Sequence, residues 1–518
     1  MLKIGRRKFL VQGVAAAGAA ATVPALLTSC AHPKAAGVKP VVQGAVTGGY
    51  FAGNFGVDGD MLRRTITKGL SRGGDFAEVF LQHKVGDYIG FEDGQVNRAY
   101  AQVDLGAGIR VLKGDQTGYA FTEELTEKSL LAAAETAAAI ATGSGTEGPS
   151  VLKPVKIPSL YAPKQVWIDV SPKDKIGIAQ ATGELLQAGD PAIIKAAVHF
   201  SDEDEVVLIA NSDGIQVEDT RPMTFLYATC VAKKGDRIES NTYSRSGRQG
   251  PELYSDALIK EIADETVRRT LLLFDAIVPP ADEMPVVLAP ATSGILLHEA
   301  MGHGFEADFN RKEISIFSTM LGKKIAEEHV TIVDTALEPK ARGAINVDDE
   351  GTPGQETVLV KDGVLVSYLH DRISADHFKV ERTGNGRRED FRSAPLPRMR
   401  VTTMENGPHD PDEIIASVDK GLYAVDFSNG EVAIGAGDYS FYVKTGYLIE
   451  GGKLTSPVKD VNLIGNGPDS LAKVVMVGND KQIDSGTWTC GKDGQGVPVG
   501  LGLPTVKVSA ITVGGVNS

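Results

Sequence analysis

The chain of 518 residues is long enough for about three folding units, far above the size at which a core is hard to bury. Hydrophobic residues at 42% and charged residues at 23% exclude wholesale disorder and a polytopic membrane protein. With 53 Lys and Arg against 67 Asp and Glu, the net charge of −14 repels phosphate backbones and argues against nucleic acid as a partner.

At the N-terminus, Lys3, Arg6, Arg7 and Lys8 precede an uncharged run from Phe9 to Leu27, the anatomy of an export signal. Arg6-Arg7 followed by Lys8, Phe9 and Leu10 resembles a twin-arginine signal, and Leu27-Thr28-Ser29-Cys30 resembles a bacterial lipobox. Residues 1–29 are therefore read as a signal peptide and Cys30 as the lipidation site, which holds the protein to a membrane on the periplasmic side through its acyl chains. The alternative is an N-terminal transmembrane anchor, because 19 uncharged residues just span a bilayer. Residues 30–58, rich in Gly, Ala, Pro and Val without periodicity, are expected to form a flexible tether.

A first α/β domain is expected over residues 59–150, with a helix near Met61 to Leu70, strand runs joined at Asp93-Gly94, and an Ala-rich helix from Thr126 to Thr142. A second, over 160–276, opens with a helix capped by Ser171 and Pro172. It continues with strands, one containing Cys230 as a core thiol, and closes with a helix from Leu253 to Asp275. The proline-rich segment from Pro279 to Pro285 marks a boundary, and residues 285–518 read as a β-rich C-terminal domain. The expected fold class is α+β, with N-terminal mixed α/β domains followed by a β-rich domain that carries a metal-site helix.

That helix lies in ATSGILLHEAMGHGFEADFN, where His298, Glu299 and His303 form H-E-x-x-x-H. On an ideal α-helix residues i and i+5 point about 140° apart, whereas i and i+4 of the zincin motif lie about 40° apart. Joint ligation by His298 and His303 therefore requires a π-type turn or a helix that opens near Gly302 and Gly304. Catalytic zinc takes three protein ligands. Other histidines and carboxylates are candidates for the third, but Cys490, flanked by glycines in GTWTCGKDGQG, is the best choice on chemistry.

The runs TSGILLHEAMGHGFEADFNRK, DDEGTPGQETVLVKDGVLVSYLHDR, RTGNGRREDFRSAPLPRMR and TWTCGKDGQGVPVGLGLPTVKVSAITVGG resemble the TldD/PmbA family of metallopeptidases, densely from Val286 to Gly515 and more loosely from about Phe76. The resemblance implies Zn2+ on His298, His303 and Cys490, with Glu299 as the catalytic base. It also implies peptide substrates and a metal-free PmbA/TldE-like subunit as partner; a homo-oligomer is the alternative. The leader departs from the family's cytoplasmic members. Zinc would activate water and polarise the peptide carbonyl while Glu299 moves the proton, and a thiolate ligand would moderate the Lewis acidity, which suits slow cleavage of unfolded or flexible peptides. The same groups would serve an amidase on non-peptide amides. A non-catalytic, peptide-binding lipoprotein with structural zinc is a further reading, against which Glu299 argues, since structural zinc needs no base.

Other motifs carry less. Gly486 to Asp493 falls one residue short of a Walker A loop, with Asp493 where a phosphate would sit. Arg387, Arg388, Arg392, Arg398 and Arg400 fit either a peptide-carboxylate clamp or structural ion pairs. His370 beside Asp371 reads as a strand-end histidine, and Asp348, Asp349 and Glu350 read as a solvated turn.

Overall fold

A computed structural model describes residues 49–515; the leader and Cys30 lie outside the described residues. The fold is α+β. Two long antiparallel hairpins build the N-terminal sheet: β1 (Phe76–Glu92) with β2 (Gln95–Lys113), and β5 (Ile193–Asn211) with β6 (Ile215–Lys234). Asp93 and Gly94, both at positive φ, make the tight turn whose twist matches the flanking strands. The sheet order is β3-β2-β1-β5-β6-β4, with β3 (Gln116–Thr122), the short β4 (Lys153–Pro154), and β7 (Arg237–Gly247) paired to β6.

The units expected at 59–150 and 160–276 thus share one sheet, because β1 pairs with β5 from Glu78↔Asn211 to Glu92↔Ala197. Only their helix layers are separate. The helices α2 (Gly59–Gly69) and α3 (Glu127–Ala138) bury Leu62, Ile66, Leu130 and Ala134 against Val79, Ile109 and Val111. The helices α4 (Pro172–Ala188) and α5 (Asp256–Leu272) bury Leu186, Ile259 and Ile262 against Leu226, Ala228 and Cys230. Side-chain oxygens of Thr126, Ser171 and Ser255 accept from the backbone N–H three residues on, which fixes where α3, α4 and α5 begin.

Part of the segment expected to be a tether is folded. Tyr50–Phe55 is a helix, α1, whose Phe51 is fully buried, and the N–H groups of Tyr50 and Phe51 donate to the Glu218 carboxylate at 3.0 and 3.4 Å. Phe51 and Val57 are apolar anchors that a Gly-rich background conceals.

Beyond the boundary, β8 (Asp282–Leu288) runs parallel to Lys420–Ala433 and antiparallel to Val506–Gly515 within a seven-stranded sheet. Buried on both sides, it reads as the unbroken apolar run Val286, Val287, Leu288. A six-stranded sheet that includes Ile332–Thr335, Val401–Met404 and Gly500–Leu503 completes a common core.

The N-terminal sheet meets this domain through buried ion pairs, and here Asp348, Asp349 and Glu350 are not a solvated turn. All three are at most 4% exposed. Arg110 donates to Glu78 at 2.7 Å and to Glu350 at 2.6 Å, and Arg221 donates to Asp349 at 2.7 Å. Removing one partner from such a buried set would leave an uncompensated charge. No helix among the described residues is long and apolar enough to cross a membrane.

Candidate metal centre

Strand β8 delivers the chain through Ala289–Ser293 into a short α-helix, Gly294–Leu297, which widens into a π turn over His298–Gly302 and tightens into a 3-10 turn over His303–Phe305. The His303 N–H donates to the His298 carbonyl five residues earlier, the hydrogen bond that defines a π turn. Both imidazoles consequently face one side, with ring centroids 5.1 Å apart and planes at 82°. Gly302 and Gly304 serve close packing rather than backbone freedom. A Cβ on Gly302 would lie 2.1 Å from the Met399 sulfur, and one on Gly304 would lie 2.6 Å from the Phe317 ring.

Cys490 arrives from the far end of the chain on a hairpin of Thr489–Lys492 with Gln495–Pro498. Its burial alternates, so Cys490 and Lys492 point into the protein while Thr489 and Gly491 face the other way. Arg398 Nη2 donates to the Cys490 carbonyl at 2.5 Å, which pins the strand in place.

One ligand atom each from His298, His303 and Cys490 lies within 4.8 Å of the others, and Cys490 Sγ is 3.5 Å from His303 Nε2. Zn–N bonds of about 2.0 Å and Zn–S bonds of about 2.3 Å in a tetrahedron put N···N about 3.3 Å and N···S about 3.5 Å apart, so the Cys490–His303 spacing of 3.5 Å fits a zinc-type cation. His298 Nδ1 is buried with no hydrogen-bond partner among the described residues, as expected for an imidazole whose surroundings are arranged for a ligand. Glu299 Oε2 stands 3.8 Å from His303 Nε2, at the edge of the cluster.

The electrostatics agree with that chemistry. Burial alone would raise the Cys490 thiol, but His298 and His303 hold it well below its ordinary pKa and favour the thiolate. Burial pushes the Glu299 carboxyl up, the direction that makes it a better proton acceptor near neutrality.

Sequence reasoning missed the residues that orient these groups. Glu306 Oε2 is 3.0 Å from His303 Nδ1, which leaves Nε2 turned toward Cys490. Burial opposes the charge on Glu306, yet Lys492, His303 and Arg398 hold its pKa at about 2. Lys492, met in the sequence only inside the Walker-like run, is 3.1 Å from Glu306 and donates to Asp308 at 2.7 Å. The available signal was a carboxylate three residues after His303, one helical turn away. Glu306→Gln is expected to weaken metal binding about 10- to 100-fold. Competition titration against a chromophoric chelator checks this, and unchanged affinity would refute an orienting role.

The remaining candidates are not among the clustered donors. His370 Nδ1 is buried without a partner among the described residues, burial holds its pKa at about 4, and Asp371 caps the helix Arg372–Phe378. Arg400 pairs with Asp334 at 2.7 Å and Arg388 with Glu78, so these two are structural, while Arg392 makes a half-buried pair with Asp390 and an exposed one with Glu123. No helix follows the Walker-like run, which folds into the Cys490 hairpin instead.

An α+β protein with a His-His-Cys donor cluster and an adjacent half-buried glutamate has the architecture of a metallohydrolase, and the chain's relatives narrow that class. Models of the PmbA/TldA metallopeptidase match in three consecutive parts: domain 1 over residues 77–141, the central domain over 166–274 and the C-terminal domain over 281–515. The metalloprotease TldD homolog of Haemophilus influenzae is 37% identical over 450 residues, covering 86% of this chain and 93% of that protein. The zinc metalloprotease TldD homolog of Saccharolobus solfataricus is 26% identical over 455 residues, covering 87% and 99%. The crystal structure of TldE from Thermococcus kodakarensis superposes with a TM-score of 0.68 at 20% identity, over 88% of this chain and 99% of that one. The chain belongs to the PmbA/TldD metallopeptidase family.

Proposed function

We propose that this protein is a zinc-dependent peptidase that cleaves unfolded or flexible peptides, with His298, His303 and Cys490 as metal ligands and Glu299 as general base. The observation that carries the reading is the meeting of those three donors, with Glu299 3.8 Å from His303, at a π turn inside the buried core. When bound, zinc supplies a Lewis acid that polarises a carbonyl and makes water acidic enough to ionise near neutral pH. Glu299, raised by burial, takes the proton from the attacking water and delivers it to the leaving amine. Glu306 keeps the proton of His303 on Nδ1, and Arg398 and Lys492 fix the strand that presents the thiolate. The test is metal analysis of the purified chain together with digestion of an unstructured peptide, with and without a chelator. Zinc near one equivalent and chelator-sensitive cleavage are expected; peptide cleavage without bound metal, or zinc with no cleavage, would overturn the reading.

The leader and the partner extend the proposal. Export through a twin-arginine signal and acylation at Cys30 would place the protein on the periplasmic face of a membrane, beside a TldE-like subunit or a second copy of itself. Support for the subunit is the likeness in fold to TldE, and the mass of the complex recovered from membranes distinguishes the two arrangements. Cys30→Ser is expected to release the protein from the membrane fraction or leave it uncleaved. Fractionation and gel mobility unchanged from the wild type would exclude Cys30 as the acylation site and favour the membrane-anchor reading.

A further inference from the structure

Between the N-terminal sheet and the C-terminal domain lies a cavity of about 200 Å³, bounded on one side by Thr489, Gly496 and Pro498 of the Cys490 hairpin. These residues sit on the hairpin face opposite to Cys490 and Lys492, so the cavity backs onto the metal cluster rather than opening into it.

Three arginines in its wall have no carboxylate within salt-bridge distance among the described residues. Arg248, immediately after β7, is 4% exposed, and its side chain makes no hydrogen bond among the described residues; its Nε is buried without a partner and its guanidinium lies 5.2 Å from the Tyr161 ring centroid. Arg387, also 4% exposed, donates only to carbonyls, those of Met399 at 2.5 Å and Pro498 at 2.7 Å. Arg342 donates to the Trp488 carbonyl and to Thr489 Oγ1, while its Nη1 is buried without a partner. Burial holds Arg342 down at about 10 and Arg387 at about 9; Glu203 and Asp349 oppose the shift from beyond salt-bridge distance, and the neighbouring Arg248 charge adds to it.

The acids in the same wall make their short contacts with other groups and reach these arginines only at longer range. Asp349 accepts from Arg221 at 2.7 Å and from the Arg388 N–H at 2.8 Å. Glu205 accepts from Gln82, and it and Glu203 both face Lys84. Glu389 is exposed. A protein seldom buries a guanidinium without a partner, because each unmet donor costs its full desolvation, and planar, forked donors converging on one cavity match a planar or tetrahedral oxyanion.

We propose that this cavity binds a small oxyanion, a carboxylate or a phosphate, held by Arg248, Arg342 and Arg387 on the back of the hairpin that carries Cys490. Arg342 holds Thr489 and Arg387 holds Pro498, a cross-strand pair at the hairpin's base, so the occupant tightens the element that positions the third metal donor. The site stands independently of the peptidase reading, because its binding is measured without turnover.

Inorganic phosphate is titrated into the full chain by calorimetry, with the melting temperature followed in parallel, for the wild type, Arg248→Met and Arg342→Gln. Wild-type protein is expected to bind and to melt at a higher temperature as phosphate rises, and each substitution to weaken binding about 10- to 100-fold. If one variant fails to fold, the other decides. A tetrapeptide with a free C-terminal carboxylate and its amide are then tested as competitors. Displacement by the acid alone makes a peptide terminus the occupant, and displacement by neither makes it free phosphate; both results support the site. Absence of any wild-type response to phosphate or to the free-acid peptide, or an equal response in all three proteins, overturns the proposal, the equal response placing phosphate at the metal instead.

Discussion

Glu299→Gln is expected to retain the fold and the full metal content while peptide hydrolysis falls by on the order of 10² to 10⁴. Glu299 lies beyond the three clustered donors, so its amide removes a proton acceptor without removing a ligand, and the π turn on which it sits is held by backbone bonds that the change leaves alone. Circular dichroism, metal analysis and turnover measured on the same preparation separate the effects. Turnover near that of the wild type would exclude Glu299 as the base.

Cys490→Ala should show the converse pattern: metal is lost first and activity falls as a consequence. Only His298 and His303 would remain, and two imidazoles make a poor zinc site. The loss in affinity should exceed the 10- to 100-fold that accompanies loss of an outer partner such as Glu306. The hairpin itself should survive, because Arg398 grips the Cys490 carbonyl rather than its sulfur. Metal content after gel filtration is the measurement, and an undiminished equivalent of zinc in the variant would remove Cys490 from the ligand set.

What the sequence discloses about this centre follows periodicity and local chemistry. His298 and His303 at i,i+5 cannot converge on an α-helix, so their spacing implies the π turn that is observed. The Asp93-Gly94 turn and the starts of α3, α4 and α5 are legible because each depends on a few adjacent residues. Pairings across long separations are not legible. Asp348, Asp349 and Glu350 look like a solvated run until Arg110 and Arg221, 240 and 128 residues away from their partners, are brought against them. One composition-level expectation fails for a similar reason: Phe51 and Val57 are anchors only once α2 and the sheet exist to receive them. Arg248 carries no signal at all, since a lone arginine after a strand is unremarkable until its partners are found missing.

The wide separation of the donors has a consequence for biosynthesis. Two are joined by a single helical turn, but the third lies 187 residues further along the chain. A nascent polypeptide therefore carries both imidazoles for a long stretch of translation, roughly 10 to 40 s at ordinary elongation rates, before the thiol that completes the set leaves the ribosome. During that interval the chain holds at most a weak two-donor site, and a product truncated anywhere upstream of the hairpin would be unable to assemble the cluster. The three donors can thus meet only in a molecule synthesised through the Cys490 hairpin, so the layout of the chain ties assembly of the cluster to near-complete synthesis of the β-rich domain.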